Sequence, residues 1–88
     1  MLPFNYAILK LFLTVEEADA DMVMETLADE YRKSRQFRKS TVIEALMTAE
    51  ANGLLAETRF DLDAEQQLRV YYRVTEEGRT MIERYIGK

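Results

Sequence analysis

The sequence predicts one α+β domain over residues 1–88, in which helices pack around a core and a two-stranded hairpin lies against them. Two observations predict this class. Apolar residues recur at helical spacing as far as Ala51, and from Leu54 onward they alternate with polar residues. A chain of 88 residues has room for a single hydrophobic core.

The first helix is predicted from Phe4 to Thr14, with Pro3 suited to its first turn. Its apolar residues cover almost the full circumference, and Asn5 and Lys10 are its main polar interruptions. Two interpretations remain open: the other helices cover it, or a second copy of the chain covers one side. Because so small a domain has little surface to spare, we favour a dimer.

The second helix is predicted from Asp19 or Ala20 to Tyr31, with the Asp19 side chain suited to the N-terminal cap. Val23, Leu27 and Tyr31 recur every fourth residue and predict its buried face. The other side carries acids that we interpret as a solvated surface: Asp21, Glu25, Asp29 and Glu30.

The third helix is predicted over residues 40–52, with Ser40 or Thr41 as its N-terminal cap. Thr41 would form a capping box with Glu44 three residues later. Gly53 is the residue type that ends a helix in the left-handed conformation. The predicted buried stripe is Val42, Ala45, Leu46 and Ala49.

Two alternating segments, residues 54–60 and 68–74, predict a β-hairpin with a polar loop over residues 61–67. Thr75 is the predicted cap of a last helix. The predicted inner faces of the two strands are Leu54, Ala56, Thr58 and Phe60, and Leu68, Val70, Tyr72 and Val74. The predicted apolar face of the last helix is Met81, Ile82, Tyr85 and Ile86.

This order of elements is the plan of a winged helix-turn-helix: a three-helix core, a two-stranded β-wing over residues 54–74 and a C-terminal helix. In that plan the third helix can enter the major groove of DNA. The same plan also serves as a protein-interaction module that does not bind DNA, and this alternative stays open.

Two runs of sequence resemble the PadR family of winged-helix transcriptional regulators and, more broadly, MarR-type regulators. The first is Ser-Thr-Val-Ile-Glu-Ala-Leu at residues 40–46, with Glu50 and Asn-Gly-Leu-Leu at residues 52–55. The second is Val-Tyr-Tyr-Arg-Val-Thr-Glu-Glu-Gly-Arg at residues 70–79. The resemblance implies a winged helix that regulates transcription by binding double-stranded DNA. We expect a homodimer formed by the first helix and the last one.

The DNA contacts are predicted on the basic segment before the third helix, on the outer side of that helix and on the hairpin. Arginine and lysine neutralise phosphates, hydroxyl groups donate to phosphates or bases, and a glutamate can accept from cytosine. The predicted contact residues are Arg32, Lys33, Arg35, Arg38, Lys39, Ser40, Thr41, Glu44, Thr48, Arg59, Arg69 and Arg73.

Two charge features oppose this prediction. The net charge is −4, and the predicted hairpin tip carries Asp61, Asp63 and Glu65, which would repel a phosphate backbone. The basic segment could instead pair with the acids of the second helix. That arrangement would favour the interaction module.

Composition excludes several other classes. The chain has no cysteine and no histidine, so a disulfide framework, a zinc site built on these residues and a catalytic centre built on them are excluded. Glu16, Glu17 and Asp19 match no calcium loop, and we expect no metal, no cofactor and no enzymatic activity. The apolar residues 1–15 contain Lys10 and lack a basic leader, so we interpret them as a buried helix rather than a signal peptide. We expect a cytoplasmic protein without a membrane span, and no effector can be named.

Overall fold

The computed structural model describes residues 1–87. The order of its elements confirms the predicted α+β arrangement of three helices, a hairpin and a last helix. The elements are α1 (Phe4–Leu11), α2 (Ala20–Tyr31), α3 (Lys39–Ala51), β1 (Leu55–Leu62), β2 (Leu68–Val74) and α4 (Glu76–Tyr85).

Helix α1 ends at Leu11, three residues before the predicted end at Thr14. The N–H groups of residues 12–14 donate to carbonyls three residues back, at 2.9 to 3.1 Å, so the chain tightens into 3₁₀-type turns. The Thr14 hydroxyl also donates to the Leu11 carbonyl at 2.7 Å, which closes the last turn. The buried residues of this segment are Phe4, Ala7, Ile8 and Phe12.

The predicted bounds of α2 and its predicted buried face are confirmed. The Asp19 carboxylate accepts the Met22 N–H at 2.9 Å, which satisfies one of the free donors of the first turn. Tyr31 ends the helix and packs on Phe4 with ring centroids 5.1 Å apart. Its hydroxyl donates to the Leu2 carbonyl, so α2 holds the start of the chain.

The predicted cap of α3 is wrong. The helix begins at Lys39, and the residue in the cap position is Arg38, whose side chain makes no capping hydrogen bond. Ser40 and Thr41 therefore lie inside the first turn, and the capping box of Thr41 with Glu44 does not form.

The early start of α3 follows from the position of Phe37. This side chain packs on Phe4 with ring centroids 6.0 Å apart, as expected for the one apolar residue of the basic segment. The Phe37 N–H donates to the Ser34 carbonyl at 3.1 Å, so the chain has already turned before residue 38. Non-local packing thus overrides the local preference of serine and threonine for the cap.

The end of α3 is as predicted. Gly53 has φ +79°, and its N–H donates to the Glu50 carbonyl at 3.0 Å. The Leu54 N–H donates to the Ala49 carbonyl at 2.9 Å, which completes a Schellman motif. The stripe is confirmed at Val42, Leu46 and Ala49, which are buried, and Ala45 is half-buried.

The inner face predicted for β1 is wrong at Ala56, which lies on the opposite side from Leu55, and at the bulged Thr58, whereas Phe60 does lie on the side of Leu55. A register break between Glu57 and Arg59 leaves Thr58 as an extra residue, and this bulge reverses the side on which later residues point. Leu55 is 2% exposed and enters the core, but Phe60 is 66% exposed, because it lies on the same face farther along the hairpin from the helices. Both strands pair antiparallel as far as Leu62 with Leu68, so the hairpin loop is 63–67.

The bulge gives the wing two unlike faces. Cross-strand pairing places Glu57, Phe60 and Leu62 on the same face as Tyr72, Val70 and Leu68, respectively. Arg59, Asp61, Arg69 and Tyr71 lie on the opposite face. We call these the apolar face and the arginine face of the wing.

A third strand position was not predicted from the sequence. Ala18 pairs antiparallel with Tyr72, and their backbone groups exchange two hydrogen bonds of 2.9 Å each. The connection between α1 and α2 is thereby attached to β2, which fixes the wing relative to the helices.

Helix α4 begins as predicted. The Thr75 hydroxyl oxygen accepts the Gly78 N–H at 2.8 Å and donates to the Gly53 carbonyl at 2.7 Å. Within the predicted apolar face Ile82 is buried, but Met81 and Tyr85 are exposed. The helix thus offers part of its apolar surface to solvent.

Candidate nucleic-acid interface

The basic segment, residues 32–39, lies on the surface between α2 and α3. Two of its cations are ion-paired with α2, as the alternative to DNA binding predicts: Arg32 with Asp29 at 3.6 Å and Lys39 with Asp21 at 3.0 Å. Three other predicted contact residues are exposed and have no acidic partner at ion-pairing distance within residues 1–87. They are Lys33, Arg35 and Arg38.

The absent cap leaves the N-terminus of α3 open. The first backbone hydrogen bond of α3 is donated by the Val42 N–H to the Arg38 carbonyl, at 3.1 Å. The N–H groups of residues 39–41 have no acceptor within the described part of the chain. Three free donors at the positive end of the helix dipole suit a phosphate group, and Arg38 lies directly beside them.

The outer side of α3 carries predicted contact residues but little charge. Ser40, Glu44 and Thr48 are exposed, and Thr41 is half-buried. Lys39 is the one basic residue of the helix, because it starts a residue earlier than predicted. Next to this side, Ile43 and Met47 are exposed, and the prediction of contact residues did not include either.

Arg59 is engaged within the protein. Its guanidinium binds the Glu17 carboxylate at 2.8 and 2.9 Å and lies 3.7 Å from the centroid of the Tyr71 ring. The bound Arg59 holds the pKa of Glu17 below its ordinary value, with a further contribution from the Thr58 hydroxyl, which donates to Glu17 at 2.7 Å. These contacts tie the arginine face of the wing to the connection before α2.

Arg69 and Arg73 differ from each other. Arg69 binds both oxygens of Asp61, at 2.8 and 3.0 Å, in a bidentate pair that lowers the pKa of Asp61. Arg73 is exposed, and its guanidinium donates a long hydrogen bond of 3.4 Å to the Val74 carbonyl. Arg73 is therefore the predicted wing contact with the most available charge.

The tip of the wing is less repulsive than its composition suggests. Asp61 lies inside β1, where Arg69 neutralises it. Asp63 accepts the N–H groups of Glu65 and Gln67 at 2.9 and 2.8 Å, so its carboxylate closes the loop. Of the three predicted tip acids, Glu65 is exposed, whereas Asp61 and Asp63 are half-buried.

The structure brings the predicted contact residues into two regions. The basic segment and the start of α3 form one, and the wing forms the other. Within residues 1–87 there is no cluster of acidic side chains arranged to hold a metal ion. None of the helices described for residues 1–87 is long and apolar enough to cross a membrane.

Comparison with solved structures identifies the fold. A transcriptional regulator from Clostridium thermocellum superposes with a TM-score of 0.72 at 18% identity, over 94% of this chain and 76% of that one. Bacillus subtilis PadR in complex with operator DNA gives 0.74 at 17% identity, over 96% of this chain and 46% of that one. The chain thus spans less than half the length of PadR. No family model and no curated protein matches the sequence. The similarity confirms the predicted winged-helix fold.

Proposed function

We propose that this PadR-like winged-helix protein is a transcriptional regulator that binds double-stranded DNA. One observation carries the proposal: within residues 1–87 the three amide donors at the uncapped N-terminus of α3 have no acceptor, and the adjacent Arg38 has no acidic partner. Its structural similarity to PadR in complex with operator DNA supports the same function. The proposal involves no catalysis, no cofactor and no metal, and it assigns the protein to the cytoplasm.

In this proposal the N-terminus of α3 and the basic segment bind the phosphate backbone, which positions the helix. Ser40, Thr41, Glu44 and Thr48 then face the bases. Arg73 supplies a further phosphate contact from the wing. Arg32, Lys39, Arg59 and Arg69 contribute where a phosphate replaces the carboxylate that each one now binds.

We also propose that the protein acts as a homodimer through α1 and α4. Tyr6 on α1 and Met81 and Tyr85 on α4 are large apolar side chains that the described chain leaves exposed. Two copies related by a twofold axis would present two α3 helices to successive turns of the duplex.

The test is the salt dependence of duplex binding, measured by fluorescence anisotropy between about 50 and about 200 mM salt. The double variant Arg35→Ala/Arg38→Ala should weaken binding and reduce the slope of log K against log salt by about 2. The control Arg79→Ala/Arg84→Ala removes the same charge from the exposed side of α4 and should leave the slope almost unchanged. Absence of binding at low salt, or an equal loss in both variants, would contradict the proposal.

A second function, a protein-interaction module, is favoured by the end of the wing. Phe60, Leu62 and Leu68 share the apolar face and are between 56% and 66% exposed, which is unusual for a wing that meets phosphates. Absence of duplex binding, combined with fluorescence of a hydrophobic dye that Phe60→Ser abolishes, would favour this function over the first.

A further inference from the structure

A groove of about 380 Å³ separates the side of α3 that carries Ile43, Met47 and Glu50 from the apolar face of the wing. Its volume lies within the range of small-ligand pockets, at the lower end. The groove does not include the open N-terminus of α3 at residues 40 and 41, and Lys39 is the one residue of the basic segment that lines it.

The walls of the groove are apolar and uncovered. Ile43 and Met47 project from α3, and Leu68 and Val70 project from β2 on the other side. Met47 is 58% exposed, and no element within residues 1–87 packs over it. A bound apolar body would therefore be removed from water on two sides, which is the main source of affinity in such sites.

One end of the groove already has balanced charges. Lys39 binds Asp21 at 3.0 Å, and Arg69 binds Asp61 at 2.8 Å. Neither cation is therefore available to attract an anionic ligand without losing an existing ion pair. An anion has no free partner among the lining side chains.

The other end of the groove carries unbalanced negative charge. Glu50 on α3 and Glu57 on β1 both line it, and neither has a cationic partner at ion-pairing distance in the described part of the chain. Tyr72 lies directly across the strands from Glu57, and its ring is buried at the base of the wing. Burial, together with the charges of Glu50 and Glu57, raises the pKa of Tyr72.

We infer that the groove binds a small amphipathic organic cation, whose apolar body lies between α3 and the wing and whose ammonium group lies between Glu50 and Glu57. The apolar walls favour an apolar body, and Glu50 and Glu57, which have no cationic partner within residues 1–87, favour a positive charge. This inference is independent of DNA binding. Of the proposed DNA contacts, Lys39 and Arg69 line the groove, so a bound ligand and a bound duplex would meet at these two residues.

The test compares three probes that share one apolar body: hexylammonium, 1-hexanol and hexanoate. Binding is followed by NMR through the methyl groups of Ile43 and Met47. We expect saturable shifts, with hexylammonium binding about fivefold or more tighter than 1-hexanol, because two partly exposed ion pairs supply about 1 kcal/mol. Hexanoate should bind more weakly than the alcohol.

The double variant Glu50→Gln/Glu57→Gln should reduce the advantage of hexylammonium over 1-hexanol to less than about twofold. Glu25→Gln/Glu30→Gln makes the same charge change on the exposed side of α2 and should retain that advantage. The inference is overturned if no probe saturates, if the alcohol binds as tightly as the cation, or if the advantage survives in the first variant. Binding of a lysine-rich amphipathic peptide without binding of hexylammonium would also overturn it, because the groove would then belong to a protein partner.

Discussion

The Nζ atom of Lys39 lies 3.0 Å from Oδ1 of Asp21, so the first residue of α3 is bound to the first turn of α2. This ion pair, followed by the charges of Asp63 and Asp19, raises the pKa of Lys39. It also withholds a cation from the proposed phosphate site. We expect Asp21→Asn to raise the affinity for duplex DNA at low salt by a few-fold and to change stability by less than about 1 kcal/mol, because the pair is half exposed.

The control for that prediction is Glu25→Gln, which removes one negative charge from the same helix without releasing a cation. Anisotropy titrations of both variants separate the release of Lys39 from the change in net charge. An equal gain in affinity in the two variants would mean that the ion pair has no specific role.

Arg38 occupies the cap position of α3 with extended backbone angles, φ −139° and ψ 144°, which suit a capping serine. Arg38→Ser and Arg38→Ala remove the same charge, but only serine can accept an N–H of the first turn. We expect Arg38→Ser to be more stable than Arg38→Ala by about 1 kcal/mol in urea unfolding. It should also bind duplex DNA more weakly, because its hydroxyl occupies a donor that the proposal reserves for phosphate.

If Arg38→Ser and Arg38→Ala bind the duplex equally, the free amide groups do not contact phosphate. If Arg38→Ser is not the more stable of the two, the N-terminus of α3 is already satisfied in solution.

The elements that sequence patterns predicted correctly depend on neighbouring residues. The Asp19 and Thr75 caps bind amide groups three residues away, and Gly53 ends α3 through its own backbone conformation. These roles could therefore be predicted from the local sequence. The same locality explains why the helix order, and with it the winged-helix fold, could be predicted.

The features that sequence patterns missed depend on distant residues. The bulge at Thr58 and the pairing of Ala18 with Tyr72 arise from strand register and from packing of the wing on the helices. At the candidate site, the sequence shows which residues are arginines. It does not show that Arg59 and Arg69 already bind carboxylates in the folded protein. Which charged side chains remain free to bind a ligand depends on the folded structure. The sequence therefore predicted the candidate residues but not which of them are already ion-paired.

Gly78 is required by the close approach of α4 to the turn after α3. A Cβ atom at this position would lie 2.0 Å from the carbonyl oxygen of Leu54, a backbone atom that cannot rotate away. Helix propensity alone predicts that Gly78→Ala stabilises the protein by up to about 1 kcal/mol. We expect the opposite, a loss of about 2 kcal/mol or more in urea unfolding, because α4 must shift.

Arg79→Ala in the same turn is the control, since Arg79 is exposed and its loss should change stability little. A stabilised Gly78→Ala variant would show that α4 does not pack on the Leu54 carbonyl in solution.

The arginine face of the wing predicts a pH-dependent contribution to stability. Arg59 lowers the pKa of Glu17, and Arg69 lowers the pKa of Asp61, so both carboxylates bind protons less readily in the folded state than in the unfolded chain. Their stabilising effect is present above the ordinary carboxyl pKa of about 4 and is lost as the pH falls towards the lowered values. The double variant Glu17→Gln/Asp61→Asn should therefore have a lower Tm than the natural sequence at pH 7.

The difference in Tm between that variant and the natural sequence should narrow as the pH falls from about 5 to about 3. Glu25→Gln/Glu30→Gln is the control, because these carboxylates have no cationic partner at ion-pairing distance within residues 1–87. A difference in Tm that is the same at both ends of this range would show that the arginine pairs do not stabilise the wing.

The proposed dimer predicts a specific effect at Tyr85, which is 68% exposed near the end of α4. Burying its ring against a second copy would stabilise the dimer by about 1.5 to 3 kcal/mol, and a lysine there would place an unpaired charge in the interface. We expect Tyr85→Lys to shift sedimentation equilibrium towards the monomer by a factor of ten or more in Kd. Thr80→Lys adds the same charge at an exposed position of the same helix and should leave the equilibrium nearly unchanged. Equal dissociation in both variants would mean that added charge, rather than loss of the Tyr85 contact, separates the copies, and the interface would have to be sought away from α4.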